Sequence, residues 1–206
     1  MNEVIRSEEA SSGVAAAYAA RRRRALPSGV WGIALLVATE SALFGTLLAS
    51  YWYLRAKNVH WPPPGVESPK VVLPLVLTGI LVATSVPMAL AVRAVRAARA
   101  DRAVLLLLLA LVVQGAYLGL QIHLFASDFD KFSPSGSSYG SIYFTLLGAH
   151  HVHVLVGMLL NLFLAARLLS GLTNYRAIGV RAAAIYWYFV NIVAVFVVLT
   201  QLSPSL

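Results

Sequence analysis

Five stretches of this sequence are long and apolar: Val30–Tyr53, Val71–Val92, Ala103–Ala126, Ser141–Leu169 and Val180–Leu202. A hydrocarbon layer roughly 30 Å thick is crossed by about 20 residues at ~1.5 Å rise per residue. In lipid the backbone must satisfy its own N–H and C=O groups, so segments of this kind fold as helices. The expected fold is all-α, a polytopic membrane protein with five transmembrane helices. The fourth stretch exceeds what a crossing needs, and it is expected to tilt or protrude.

Composition agrees. Hydrophobic residues make up 59% of the 206 and charged residues 12%. A soluble domain is roughly half apolar and a quarter charged. Cysteine is absent, which excludes disulfides, iron–sulfur clusters and thiolate metal sites. The formal net charge of +8 would suggest nucleic acid in a soluble protein. In a membrane protein the distribution of charge matters more, because cytoplasmic loops collect Lys and Arg.

That distribution is one-sided. Arg6 and Arg21, Arg22, Arg23 and Arg24 precede the first span. Arg93, Arg96, Arg99 and Arg102 join the second to the third, and Arg167, Arg176 and Arg181 join the fourth to the fifth. The other side holds Arg55, Lys57, Lys70 and Lys131 together with Glu67, Asp128 and Asp130. The asymmetry predicts a cytoplasmic N-terminus and an extracytoplasmic C-terminus.

Residues 1–27 are expected to form a cytoplasmic N-terminal arm, and residues 28–206 the five-helix membrane bundle. The arm contains Glu3, Glu8 and Glu9 and has no apolar core behind a basic start, so it does not read as a cleaved signal peptide. Its "RRRR" run reads as a topology determinant touching lipid headgroups rather than a nucleic-acid patch. The loop "NVHWPPPGVESPK" is proline-rich and expected to be stiff. Trp31, Tyr51, Trp52, Tyr53 and Trp61 lie near span ends, as interfacial aromatics do. "VLLLLLALVV" in the third span reads as plain lipid-facing helix.

Ionisable groups inside spans are costly and usually face the bundle interior. Here they are few. Glu40 lies about 15 Å into the first span, and His150, His151 and His153 fall at a similar depth in the fourth. On a helix, His150 and His153 share a face and His151 is rotated away by about 100°. Glu40 is expected to meet His150 or His153 across a helix interface. An acid donating to an imidazole, or a shared proton, satisfies both groups at less cost than two isolated charges. Gln114, Gln121, Asn161 and Asn191 read as interhelical glue, with Gln121, His151 and Asn191 as secondary polar positions. Gly115, Gly119, Gly148 and Gly157 are expected to permit close helix approach.

Other chemistries find less support. Zinc needs three or four compact ligands, and His150, His153 and Glu40 would supply three. A bis-histidine haem would need His123 with His150 or His153. A transporter would show a broken midplane helix, for which Pro74 and Pro87 in the second span are the only cue. Proline there also serves as a simple kink.

Several segments carry a family resemblance. "WGIALLVATESALFGTLLASYWYLR" resembles a helix with an early tryptophan and a membrane-embedded glutamate, at Glu40. "LGLQIHLF" resembles an LGxQxxEY segment. "YGSIYFTLLGAHHVHVLVG" resembles a helix of pattern YxxTGxHGxHVxxG, with Gly148, His150, His153, Val154 and Gly157 in register. "YWYFVNIVAVFVV" resembles a closing YWHFVD helix at Tyr186, Trp187, Phe189 and Val190. These motifs, in this order from Trp31 to Leu202, resemble the cytochrome c oxidase subunit III family of haem-copper oxidases, in its five-helix bacterial form. The chain departs from the pattern at four positions. Leu124 stands for the family's glutamate, His151 for a glycine, Tyr188 for a histidine and Asn191 for an aspartate. It reads as a divergent member.

The resemblance implies an accessory subunit of a proton-translocating, oxygen-reducing complex in a bacterial plasma membrane. It implies no catalytic site, metal or redox cofactor in this chain, with haem and copper held by partner subunits. The implied partners are subunit I directly, then subunit II, other respiratory subunits and phospholipid held in a helix cleft, with no nucleic acid. The implied role is support of proton uptake and sustained turnover in aerobic electron transport. Glu40, His150 and His153 carry over as the intramembrane polar set. A nitric oxide reductase partner is a second possibility within the family.

Overall fold

A computed structural model of the chain describes residues 28–67 and 71–205. The expected N-terminal arm with its arginine run lies outside the described residues. Six helices follow in order: α1 (Ser28–Lys57), α2 (Val72–Ala83), α3 (Ser85–Arg96), α4 (Ala100–Lys131), α5 (Ser138–Leu169) and α6 (Asn174–Leu202). A short 3-10 turn, Ser203–Ser205, follows α6. Together, α2 and α3 form one span, so among the described residues five segments are long and apolar enough to cross a membrane.

The helices run past the apolar stretches that announce them. The α5 helix starts at Ser138, where the Ser137 hydroxyl accepts from the Gly140 N–H at 3.1 Å. The α6 helix starts at Asn174, capped by Thr173 accepting from the Arg176 N–H at 3.2 Å. Polar caps and first turns extend a helix beyond its lipid-buried part, and hydropathy does not register them.

The second span breaks at Thr84. Pro87 has no N–H, so the Ala83 carbonyl loses its partner one turn on. Pro74 causes no break because it lies in the first turn of α2, where the N–H is spare in any case. The break is packed rather than open: Thr84 is 2% exposed. Its hydroxyl donates to the Leu81 carbonyl at 2.5 Å and accepts from the Trp187 indole N–H at 2.8 Å. Asn191, one turn further along α6, donates to the Ser85 hydroxyl at 2.7 Å.

This makes α6 the axis of the bundle. It touches α1, α2, α3 and α5, and it is the most buried span, whereas α1 is the least. In contrast, α1 touches only α5 and α6, and α4 packs on the other side against α2, α3 and α5. Two glycines set the spacing around α6. A Cβ on Gly157 would stand 2.7 Å from the Trp187 ring, and one on Gly179 would stand 2.9 Å from Leu164. The expected close approach therefore holds at Gly157. At Gly115 and Gly148 the spacing is ordinary, with a Cβ 3.6 Å from Met158 and Phe125 respectively. At Gly119 the expectation fails within this chain, since a Cβ there would meet nothing within 4 Å.

The end of the bundle carrying Tyr51, Trp61 and Asp128 is rich in aromatics, and the opposite end carries the arginines of the α3–α4 and α5–α6 connections. Tyr51, expected at the lipid interface, is instead 2% exposed. Its hydroxyl donates to the Thr200 carbonyl at 2.6 Å and accepts from the Trp61 indole at 2.9 Å. Trp61 in turn lies edge-on to Tyr139, with centroids 5.1 Å apart.

Replacing Gly157 with Val should destabilise the fold by about 1–3 kcal/mol, because the indole above it has nowhere to go. Thermal unfolding of the detergent-solubilised protein should show a Tm several degrees lower. Gly45→Ala, at a position with nothing within 4 Å, should leave Tm within a degree or two of the parent.

Candidate functional site

Glu40 enters the bundle by the logic of its helix. Ile33, Val37, Glu40, Phe44, Leu47 and Tyr51 are among the less exposed positions of α1, spaced alternately four and three apart. That is the seam of a helix packed along one face, and Glu40 occupies one of its apolar positions. Opposite it on α5 stands His153. The His153 Nε2 and Glu40 Oε2 atoms are 3.0 Å apart, and the two side chains are 16% and 24% exposed.

The second ring nitrogen fixes the proton count. His153 Nδ1 lies 2.7 Å from the Ala149 carbonyl oxygen. A carbonyl only accepts, so Nδ1 carries a hydrogen. Nε2 then either accepts from a carboxylic acid or, in the imidazolium, donates to a carboxylate. Both forms contain one shared proton and leave the pair neutral, the arrangement a low-dielectric interior tolerates best. Phe44 packs edge-on to the ring at 4.9 Å, and the Tyr186 hydroxyl donates to the His153 carbonyl at 3.2 Å. The pair is thereby held by α1, α5 and α6 together.

The other histidines lie elsewhere. His150 is 1% exposed, and neither ring nitrogen has a hydrogen-bond partner among the described residues. Of His150 and His153, only His153 reaches Glu40. His151, the expected outlier, is also buried, edge-on to Phe125 at 5.5 Å, with its Nε2 unpaired. The rings of His150 and His151 are 6.0 Å apart. His123 is exposed on α4, whereas a bis-histidine pair would need it to face the bundle interior with His150 or His153. Among the described residues no three His, Asp or Glu side chains gather as metal ligands.

The amides act between helices. Asn161 donates to the Gln114 carbonyl oxygen at 3.1 Å, joining α5 to α4. Asn191 joins α6 to α3 through Ser85, as described. Gln121 is buried, makes a long 3.4 Å bond to the Tyr117 hydroxyl, and borders a cavity of about 630 Å3 at the aromatic end. Leu73, Leu77 and Leu147 give this cavity an apolar wall, and Tyr139, Asp128 and Lys131 a polar one. Asp128 accepts from Tyr143 at 2.7 Å and pairs with Lys131 at 2.8 Å.

Residue type alone hid several of these positions. Thr84 and Ser85 look like ordinary small residues in an apolar run. Tyr51 was detectable, because it continues the four–three seam that carries Glu40.

The chain matches the family described as cytochrome c oxidase subunit III over residues 13–202. The chain belongs to the cytochrome c oxidase subunit III family. It is 28% identical over 172 residues to cytochrome c oxidase subunit 3 of Bacillus subtilis, covering 82% of this chain and 81% of that one. It is 30% identical over 169 residues to cytochrome bo(3) ubiquinol oxidase subunit 3 of Pseudomonas aeruginosa, covering 80% and 79%. It is 27% identical over 171 residues to a probable quinol oxidase subunit 3 of Staphylococcus aureus, covering 82% and 84%. With its five spans, this member of the subunit III family is a multi-pass protein of a bacterial plasma membrane. Glu40 and His153 are two of the positions at which the sequence resembles the family motif.

Glu40→Leu should leave His153 Nε2 without a partner and cost about 1–2 kcal/mol of fold stability. Glu40→Gln keeps a donor toward that nitrogen and should cost less than about 0.5 kcal/mol. Comparing thermal unfolding of the two variants checks this. Equal losses in both would show that the carboxyl group, rather than a hydrogen bond, is what the site needs.

Proposed function

We propose that this chain is the accessory subunit III of a respiratory haem-copper terminal oxidase, packed directly on subunit I and associated with subunit II. The observation that carries this reading is the family match over nearly the whole chain. The named relatives divide between cytochrome c oxidases and quinol oxidases, and what they share is the subunit 3 position. In this reading haem and copper belong to the partner subunits. This chain holds lipid in a helix cleft and supports proton uptake and sustained turnover of the complex.

The site fits a supporting role. The hydrogen bond between Glu40 and His153 is directed inside the chain, and the ring's other nitrogen is used by its own helix. What the pair supplies is a fixed junction of three helices. The cavity at the aromatic end, apolar on one side and polar on the other, supports the lipid-holding part of the reading.

Affinity purification through a tag on this chain from native membranes should recover haem-copper subunits with a haem absorption spectrum. Recovery of a nitric oxide reductase core, or of no haem protein, would overturn the assignment. In the purified complex, His150→Leu with His153→Leu should leave the initial oxidase rate near that of the parent and shorten the period of sustained turnover. An immediate loss of electron transfer would contradict the accessory role.

The arginine-rich end is assigned to the cytoplasm and the aromatic end to the outside, on the strength of the charge asymmetry. The chain has no cysteine, so single replacements report cleanly. Ser135→Cys should react with a membrane-impermeant maleimide in intact spheroplasts, and Ser170→Cys only after permeabilisation. The reverse pattern would invert the topology.

A further inference from the structure

Among the described residues, Gln114, Asn161 and Asn191 are buried with one side-chain atom unpaired, and each keeps one hydrogen bond. His150 keeps none: it is 1% exposed, and neither ring nitrogen has a partner. Beside it His151, 7% exposed, leaves its Nε2 unpaired. The two rings stand with centroids 6.0 Å apart and share no hydrogen bond. A neutral imidazole carries one donor and one acceptor. Leaving both unused in a low-dielectric interior is costly, and buried polar groups without protein partners are commonly served by internal water. His153 uses both of its nitrogens, on Ala149 and Glu40. The cluster therefore offers two free imidazoles, fewer than the three ligands of a zinc centre.

A route for water lies alongside. The cavity at the aromatic end, about 630 Å3, is far larger than the roughly 30 Å3 share of one water. Its rim carries the Asp128–Lys131 ion pair, whose lysine is 60% exposed. From there its wall follows α4 down to Gln121, ten residues or about 15 Å deeper. The antiparallel register of α4 and α5 sets that depth against the histidines. Gln114 bonds Asn161, and Phe125 packs against His151. Gln121 lies seven residues past Gln114, and Val154 seven before Asn161, so the floor of the cavity stands level with the histidine turn.

One side chain stands between the two. Phe125 lines the cavity and sets its ring edge-on to His151, centroids 5.5 Å apart. Across from the tip of that ring is Gly148, where a Cβ would stand 3.6 Å away. With only hydrogen at that position, the ring has room to shift.

We propose that the cavity continues past Phe125 as an internal water site, in which water is bound to the ring nitrogens of His150 and His151 and supplied from the aromatic end. An acyl chain lying on the apolar wall of Leu73, Leu77 and Leu147 leaves this polar route open. The site is complete within this chain and does not depend on the oxidase reading. It brings water to the same turn of α5 that carries the partner of Glu40.

The test uses the full chain in lipid bilayers, with isotope-labelled histidine and tryptophan, and solid-state NMR transfer of magnetisation from water protons to side-chain nitrogens. The His150 and His151 signals are assigned by their loss in His150→Gln and His151→Gln. The exposed loop residue His60 marks full contact with water. The Trp187 indole, bonded to Thr84 in the sealed break, marks a dry interior. His150 and His151 should polarise nearly as fast as His60 and severalfold faster than Trp187. Phe125→Trp, with a larger ring in the same place, should slow both severalfold and leave His60 unchanged, whereas Phe125→Ala should leave them at least as fast as in the parent. Build-up at His150 and His151 as slow as at Trp187 would overturn the proposal, and the parent protein alone decides this. So would a hydrogen-bond coupling between the two rings, or from either ring to another side chain. Unchanged build-up in a folded Phe125→Trp would overturn the supply past Phe125.

Discussion

The Trp187 indole holds together the helices that meet on α6. A membrane interior supplies no water to an unpaired backbone or side-chain group, so an interrupted helix is tolerated only where protein seals it. The second span is interrupted, and Trp187 seals it. Its N–H binds the Thr84 hydroxyl on one side, while its ring fills the space over Gly157 on the other. One side chain thus couples the break in one span to the tight contact at Gly157 in another. Beside it on α6, Asn191 donates to Ser85 and Tyr186 to the His153 carbonyl.

The acid–imidazole pair follows the same economy. Two ionisable groups at mid-membrane would each be expensive alone. Joined through one shared proton, with the second ring nitrogen on a backbone carbonyl, they form a neutral unit with directional bonds to two helices. Directionality is what aliphatic side chains cannot provide, and in lipid there is little hydrophobic drive to bring helices together. Glu40 therefore trades apolar contact in the α1 seam for a fixed register against α5.

Much of this was legible in the residues. The spans were, because a bilayer admits few solutions for long apolar segments. Family membership was, because the motifs keep order and spacing from Trp31 to Leu202. The contact of Glu40 with a histidine of the fourth span was legible as one of two choices; which ring reaches it depends on how α1 and α5 cross, and no spacing within one helix reports that. Tyr51 was read as an interfacial aromatic because it sits near a span end, yet the seam through Ile33, Val37, Glu40 and Phe44 points at it. Thr84 and Ser85 gave no signal, since their partners lie more than a hundred residues away. Gly119 was read as a packing glycine, and within the chain it packs against nothing.

The placement of α1 has a consequence for how the protein is made. Of the five described spans, the one made earliest touches only the fourth and the fifth. Glu40 is inserted 113 residues ahead of the histidine it pairs with. At synthesis rates of about 5–20 residues per second, that interval is roughly 6 to 23 seconds. During it the carboxyl group sits in the bilayer, or at its edge, without its partner. The order of synthesis thus makes α1 a late-docking element, and its arrival closes the bundle.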